Sequence, residues 1–237
     1  MTVTDALLGP LLADATRATR PLVTFYDDAT GERVELSGLT FANWVAKTAN
    51  LLHDECDVEP GSTVAVLLPA HWQTAVALLG AWWCGAHVLT DRDATGADVA
   101  LGDAGSVTAA GGAGLVVGFS LDAMGRGLDD LPASAVDYAT EVRVHGDHFA
   151  PLDPVAATAP ALGDASVADV VAAAGARADE HGLTGADRVL SLAEQPLELV
   201  ETLLTVLAAE ASLVHVRHPD DAATERRVTA ERVTRRL

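Results

Sequence analysis

His145, Gly146, Asp147 and His148 place two imidazoles and a carboxylate within four residues, which is how a metal-ligand set can begin. A closed site needs a further donor, and His215 or His218 would have to fold onto the segment to supply it. No pattern in the chain brings them together, so the segment reads as a solvated loop and no metal is expected. Two glycine-rich tracts raise a second possibility, phosphate binding, which needs a loop that follows a strand and opens a helix. Residues 109–114 precede a strand instead and read as a flexible connection. Residues 102–106 do follow a strand but lack a full motif. Cys56 and Cys84 are the only cysteines. Both lie in apolar helical surroundings, as buried thiols of a reducing compartment do. With no nucleophile elbow, Cys–His pair or His-Glu metal motif, no catalytic residue is assigned.

The elements that would position a site are clearest over residues 36–90. Thr40 reads as an N-cap, and Phe41, Trp44, Val45, Thr48, Leu51 and Leu52 recur at helical spacing up to about Cys56. A turn at 59–62 leads to an apolar strand at 64–68, closed by Pro69. A helix over 72–84 is apolar almost all round, and a strand at 86–89 follows Gly85, so the unit reads as parallel. Before it, an amphipathic helix is expected over 4–17 with Leu7, Leu8, Leu11 and Leu12 inward, then an antiparallel pair at 21–26 and 32–36. After it come an irregular stretch with Asp91, Asp93 and Gly96, strands at 99–101 and 115–119, a surface excursion over 121–137, a strand at 141–144, and a proline-rich linker over 150–162.

The second half repeats the first. Ser166 and Asp169 have capping-box spacing and open a helix reaching Glu180. Residues 182–192 then answer 57–67 at an offset of 125, from 57 to 182; 197–209 answer 72–84 and 211–214 answer 86–89. This predicts an α/β fold of two related lobes, 1–150 and 151–237, with mainly parallel sheets and flanking helices. Open parallel sheets hold ligands beyond their strand C-termini. The candidate cleft is therefore Pro69, Ala70 and His71 after one strand and Glu194, Gln195 and Pro196 after its repeat.

Thirty-four acidic against 15 basic residues give a net charge of −19. That excludes the phosphate neutralisation on which nucleic-acid or anionic-membrane binding depends, and it predicts a solvated acidic surface, whether from a salt-rich cytoplasm or a GC-rich genome. Lys47 is the only lysine. Arg226, Arg227, Arg232, Arg235 and Arg236 read as a solvated terminal helix with Arg227, Glu231 and Arg235 in i,i+4 relation; docking onto an acidic face of a second copy or a partner is the alternative. No secretory leader or spanning apolar run is present, so a cytoplasmic protein is expected.

Residues 39–41, the helix after them, residues 58–69 and residues 77–86 resemble, in order, the N-terminal part of the AMP-binding, adenylate-forming enzymes: acyl-CoA synthetases, luciferases and peptide-synthetase adenylation domains. In the second half, Gly182-Leu183 followed by Asp187-Arg188-Val189-Leu190 resembles the same family. The resemblance implies that fold, with ATP, AMP and CoA as the ligands to test. It also implies a Thr/Ser/Gly-rich phosphate loop ahead of the second-half helix. Residues 157–164 stand there instead, with almost no hydroxyl or glycine and with Asp164 where phosphate would sit. The family's catalytic lysine belongs to a C-terminal domain with no counterpart before Leu237, and Lys47 lies in the first helix. The reading leans away from an enzyme, toward a catalytically degenerate binding or interaction protein with no cofactor. One alternative is part of a split ligase or acyl-CoA synthetase assembly; the other is a structural homo-oligomer using Trp72, Trp82 and Trp83 or the arginine-rich tail.

Overall fold

The computed structural model describes residues 1–90, 93–151 and 153–237; Asp91 and part of the expected linker lie outside the described residues. The opening helix is three short ones: α1 (Val3–Leu7), α2 (Gly9–Ala13) and α3 (Ala15–Ala18). Pro10 fits only the first turn of α2, and Asp14 leaves helical backbone so that its carboxylate can accept the amides of Thr16 and Arg17. Leu7, Leu8 and Leu11 are nonetheless buried as their spacing predicts.

The hairpin β1 (Pro21–Asp27) and β2 (Glu32–Ser37) is antiparallel and leads to α4 (Gly38–Cys56), β3 (Thr63–Val66), α5 (Trp72–Trp83) and β4 (His87–Leu89). The cap of α4 is Ser37, not Thr40: Ser37 Oγ accepts the Thr40 amide at 3.1 Å. β3 and β4 pair in parallel.

Next come β5 (Val99–Asp103), β6 (Leu115–Phe119), β7 (Val136–Asp137) and α6 (Tyr138–Glu141). The strand expected at 141–144 is helical. A strand would put Val142 and Val144 on one face, yet Val142 is buried and Val144 is exposed. The end of the expected linker is the hairpin β8 (Pro160–Leu162) and β9 (Ala165–Ser166). After it follow α7 (Val167–Glu180), β10 (Arg188–Ser191), α8 (Pro196–Ala208), β11 (Ser212–Arg217), α9 (Asp221–Ala230) and β12 (Arg235–Arg236).

The strands form two sheets, in the orders β12-β10-β11-β1-β2 and β7-β6-β5-β3-β4-β8-β9. The repeat is visible in three dimensions: a hairpin, then helix, strand, helix and parallel strand, twice. Each hairpin sits in the other repeat's sheet, β1 parallel to β11 and β8 parallel to β4. Sheet membership therefore crosses residue 150. One apolar core cluster runs through both halves, and α5 buries Val76, Leu78, Leu79 and Trp82 within it. Trp82 Nε1 donates to the Ala161 carbonyl at 2.8 Å, tying α5 to the second hairpin. The architecture is α/β with mainly parallel sheets and flanking helices, and no helix among the described residues is long and apolar enough to cross a membrane.

Candidate functional site

In the seven-stranded sheet the chain runs from β3 to β4 on one side and returns to β5 on the other. That reversal opens a crevice beyond the carboxyl ends of β3 and β5, where doubly wound sheets hold ligands. A cleft of about 310 Å³ lies there, lined by Leu67, Leu68, Pro69, Asp103, Gly105, Ser106 and Ala109. Its β3 wall is apolar. Its β5 wall is the turn whose glycines suggest phosphate binding, and the structure gives that turn another occupant. Asp103 Oδ1 accepts the amides of Gly105 and Ser106, both at 3.0 Å, and the Ser106 hydroxyl at 2.7 Å. The donors a phosphate would need are already spent on a carboxylate.

The candidate residues after β3 divide. Pro69 lines the cleft, whereas Ala70 and His71 are buried against the five-stranded sheet. His71 Nδ1 accepts the Gln73 amide at 3.2 Å, capping α5, and its Nε2 lies 3.5 Å from Glu32 of β2. Glu32 also accepts Trp72 Nε1 at 3.1 Å. The His71 ring stands edge-on to Phe25 with centroids 4.5 Å apart, and the buried His215 meets the Ala70 carbonyl at 3.3 Å through Nε2. His215 Nδ1 makes no hydrogen bond of ordinary geometry with a described residue. Burial lowers the pKa of His71 and brings that of His215 down to about 4, so both are neutral at neutral pH. His71 and Glu32, with side chains 1% and 6% exposed, are closed to a substrate and act by fastening the loop.

After β10, Glu194 and Gln195 are exposed while Pro196 is buried at the start of α8. Glu198 Oε2 accepts the amides of Glu194 and Gln195 at 3.1 and 3.3 Å, so this helix start also carries its own carboxylate.

The histidines of the metal-like segment are apart from the others. His145 Nδ1 is 3.6 Å from Asp54, His148 is exposed, and His218 Nδ1 is 2.9 Å from Asp27. Among the described residues no group of three or more His, Cys, Asp or Glu is placed to hold a metal ion. Burial pushes the thiols of Cys56 and Cys84 up to about 12, so neither is a nucleophile. Lys47 Nζ donates to the carbonyl of His145. The arginine tail is not a solvated helix. Arg227 pairs with Asp28 and covers the Tyr26 ring at 4.2 Å, Arg236 pairs with Glu225 at 2.9 Å, and Arg235 lies in β12. Glu231 turns from the expected helical pair toward Arg188, 2.6 Å away.

Sequence reasoning missed Asp103 and Ser106 as neighbours of Pro69, and Glu32 as the partner of His71. The available signal was the turn after β5; what it lacked was strand order.

No family model matches the chain. A TIGR03089 family protein of Mycobacterium tuberculosis is 49% identical over 246 residues, covering 100% of this chain and 98% of the relative. Among solved structures, an acyl-CoA synthetase of Brucella canis superposes with a TM-score of 0.79 at 16% identity, covering all of this chain and 47% of that one. An acetoacetyl-CoA synthetase of Streptomyces lividans gives 0.79 at 17% identity, over 100% of this chain and 42% of the other. An artificially fused adenylation–PCP di-domain from Klebsiella oxytoca gives 0.69 at 17% identity, over 99% and 42%. This chain thus spans less than half the length of each of these three, and the likeness at such identities is one of fold.

Proposed function

The chain belongs to the TIGR03089 family and has the fold of the N-terminal part of the adenylate-forming enzymes, and from that premise we propose that it is a catalytically degenerate, noncatalytic binding module whose cleft beside Pro69 takes an apolar, uncharged ligand. The observation that carries this reading is the backbone at residues 157–164, where the resembled enzymes wrap ATP phosphates. Here β8 pairs with β4 and turns back as β9. The Gly163 amide donates to the Val88 carbonyl, and the amides of Val167 and Ala168 donate to the carbonyls of Ala159 and Ala157. Gly163 and Asp164 are exposed at the hairpin tip. The Ala159 and Gly163 amides are spent on the Ala156 and Val88 carbonyls, so they are not free to close on phosphate, and Asp164 adds repulsion.

The cleft agrees in kind. Leu67, Leu68, Pro69 and Ala109 supply apolar contact, while Asp103 disfavours an anion and accepts a hydroxyl or amide donor. Thermal melting with ATP, AMP, CoA and a series of uncharged aliphatic amides tests the reading. A saturable rise with an amide, following RT ln(1 + [L]/Kd), and none with the nucleotides is the expected result. A rise with ATP alone overturns it.

A further inference from the structure

The opposite edge of the five-stranded sheet carries a feature of contrary charge. The N-terminal ends of β1, β10 and β11 border a trough of about 240 Å³, whose walls include Arg17, Arg20, Arg188 and Arg232 and only two acidic residues, Asp187 and Glu210. In a chain with 34 acidic and 15 basic residues, this is a local reversal of sign.

Most of these groups are already paired. Arg17 forms an ion pair with Glu210 and lies 3.5 Å from Asp14. Arg188 donates to Glu231 at 2.6 Å and to the Thr24 hydroxyl at 2.8 Å. Asp187 accepts the amide and hydroxyl of Thr184, both at 2.9 Å, and the Thr234 hydroxyl at 2.7 Å, with Arg235 3.9 Å away. Those bonds hold its carboxyl below the ordinary carboxylate range, the Thr234 hydroxyl foremost. Arg20 and Arg232 are exposed, and neither guanidinium makes a hydrogen bond or ion pair with a described residue. One comes from the turn before β1 and the other from the bend after α9, and the fold brings both to the same trough.

We propose that this trough binds the phosphate-monoester end of a small soluble molecule. Two guanidiniums without a hydrogen bond or ion pair to a described residue, Arg20 feeling Asp14 only as a charge at longer range, match the two charges of a phosphate monoester, and their planar forks suit its oxygens. A trough this size takes a phosphate and a few attached atoms, below the range of drug-sized pockets. The net charge of −19 repels a nucleic acid. The site is independent of the cleft beside Pro69, from which it is separated by sheet and by strand end.

Titration calorimetry with glycerol 3-phosphate tests it, on the wild type and on R20Q/R232Q. Saturable one-to-one binding is expected, at least tenfold weaker in the double variant and weaker in each single variant. Binding also weakens from pH 7.5 to pH 5, as the ester's second ionisation near pH 6 is reversed. Melting of the double variant without ligand changes by no more than an exposed surface substitution would, since neither guanidinium makes a hydrogen bond or ion pair with a described residue. Absence of saturable binding by the wild type overturns the proposal, as does equal binding by the double variant. Sedimentation velocity on the same proteins covers the remaining occupant: a dimer lost on R20Q/R232Q, with no phosphate ester bound, replaces the small anion with an acidic segment of a second copy.

Discussion

The two repeats share an order of elements but differ in how each treats the loop after its first parallel strand. After β3, the loop carries a histidine that is fastened to Glu32 and packed on Phe25 of the other sheet. After β10, Glu194 and Gln195 of the corresponding loop are exposed, and Glu198 of the following helix accepts the amides of both. The hairpins differ too. β1 and β2 run over seven and six residues, whereas β8 and β9 have three and two. The long hairpin from the first repeat extends the five-stranded sheet, and through Glu32 it reaches the loop after β3. Burial of the loop after β3 is therefore completed by a hairpin that belongs to the other sheet.

The largest expected effect is at α5. Trp82→Ala removes a fully buried ring and its bond to Ala161, and about 3–5 kcal/mol should be lost in urea unfolding. Leu207, 125 positions further on in α8, is equally buried but makes no cross-repeat hydrogen bond, so Leu207→Ala should cost about 2–4 kcal/mol. A smaller cost at Trp82 than at Leu207 would contradict the role given to the Trp82–Ala161 bond in tying α5 to the second hairpin.

Acid should act on the first-repeat interface. The folded-state pKa of His215, about 4, lies below its ordinary 6.5. The unfolded chain therefore takes up a proton first as pH falls. Stability is full above about pH 6.5 and declines down to about pH 4, by up to about 3 kcal/mol at 1.36 kcal/mol per unit. The lowered pKa of His71 acts with the same sign. Unfolding followed from pH 7.5 to 4 should show the slope in the wild type and a shallower one in His215→Leu; an identical slope in that variant contradicts the account.

Smaller effects separate caps from loops. Ser37→Ala and Ser166→Ala each remove an oxygen that accepts a helix amide, and about 1 kcal/mol should be lost in each case. Glu194→Ala, in the exposed loop, should stay within about 0.5 kcal/mol. A cost above 1 kcal/mol at Glu194 would show that the second loop is anchored like the first.

What was legible in the sequence follows the range of the interactions. The apolar stripe from Phe41 to Leu52, the capping box at Ser166 and Asp169 and the repeat at offset 125 are local patterns, and the elements they predict are present. Pro10 and Asp14 fall inside the single helix expected over 4–17, and each has a local preference strong enough to end it. Strand β8 was hidden among prolines because its partner is β4, far back in the chain. The pairing of β1 with β11 joins the two ends of the sequence and left no local mark. The candidate site suffers in the same way: Pro69 follows from the rule that ligands sit beyond strand ends, but Asp103 beside it requires the order β5-β3-β4. His71 reads as a loop residue until Glu32 arrives from the exchanged hairpin.

The most direct test of the central claim is ATP–pyrophosphate exchange by the purified protein with magnesium and a panel of carboxylic acids. With a paired hairpin and Asp164 in place of a phosphate loop, exchange should stay at the level of a heat-denatured control for every acid. Exchange that scales with protein concentration and depends on one acid would contradict the account and restore an adenylating enzyme.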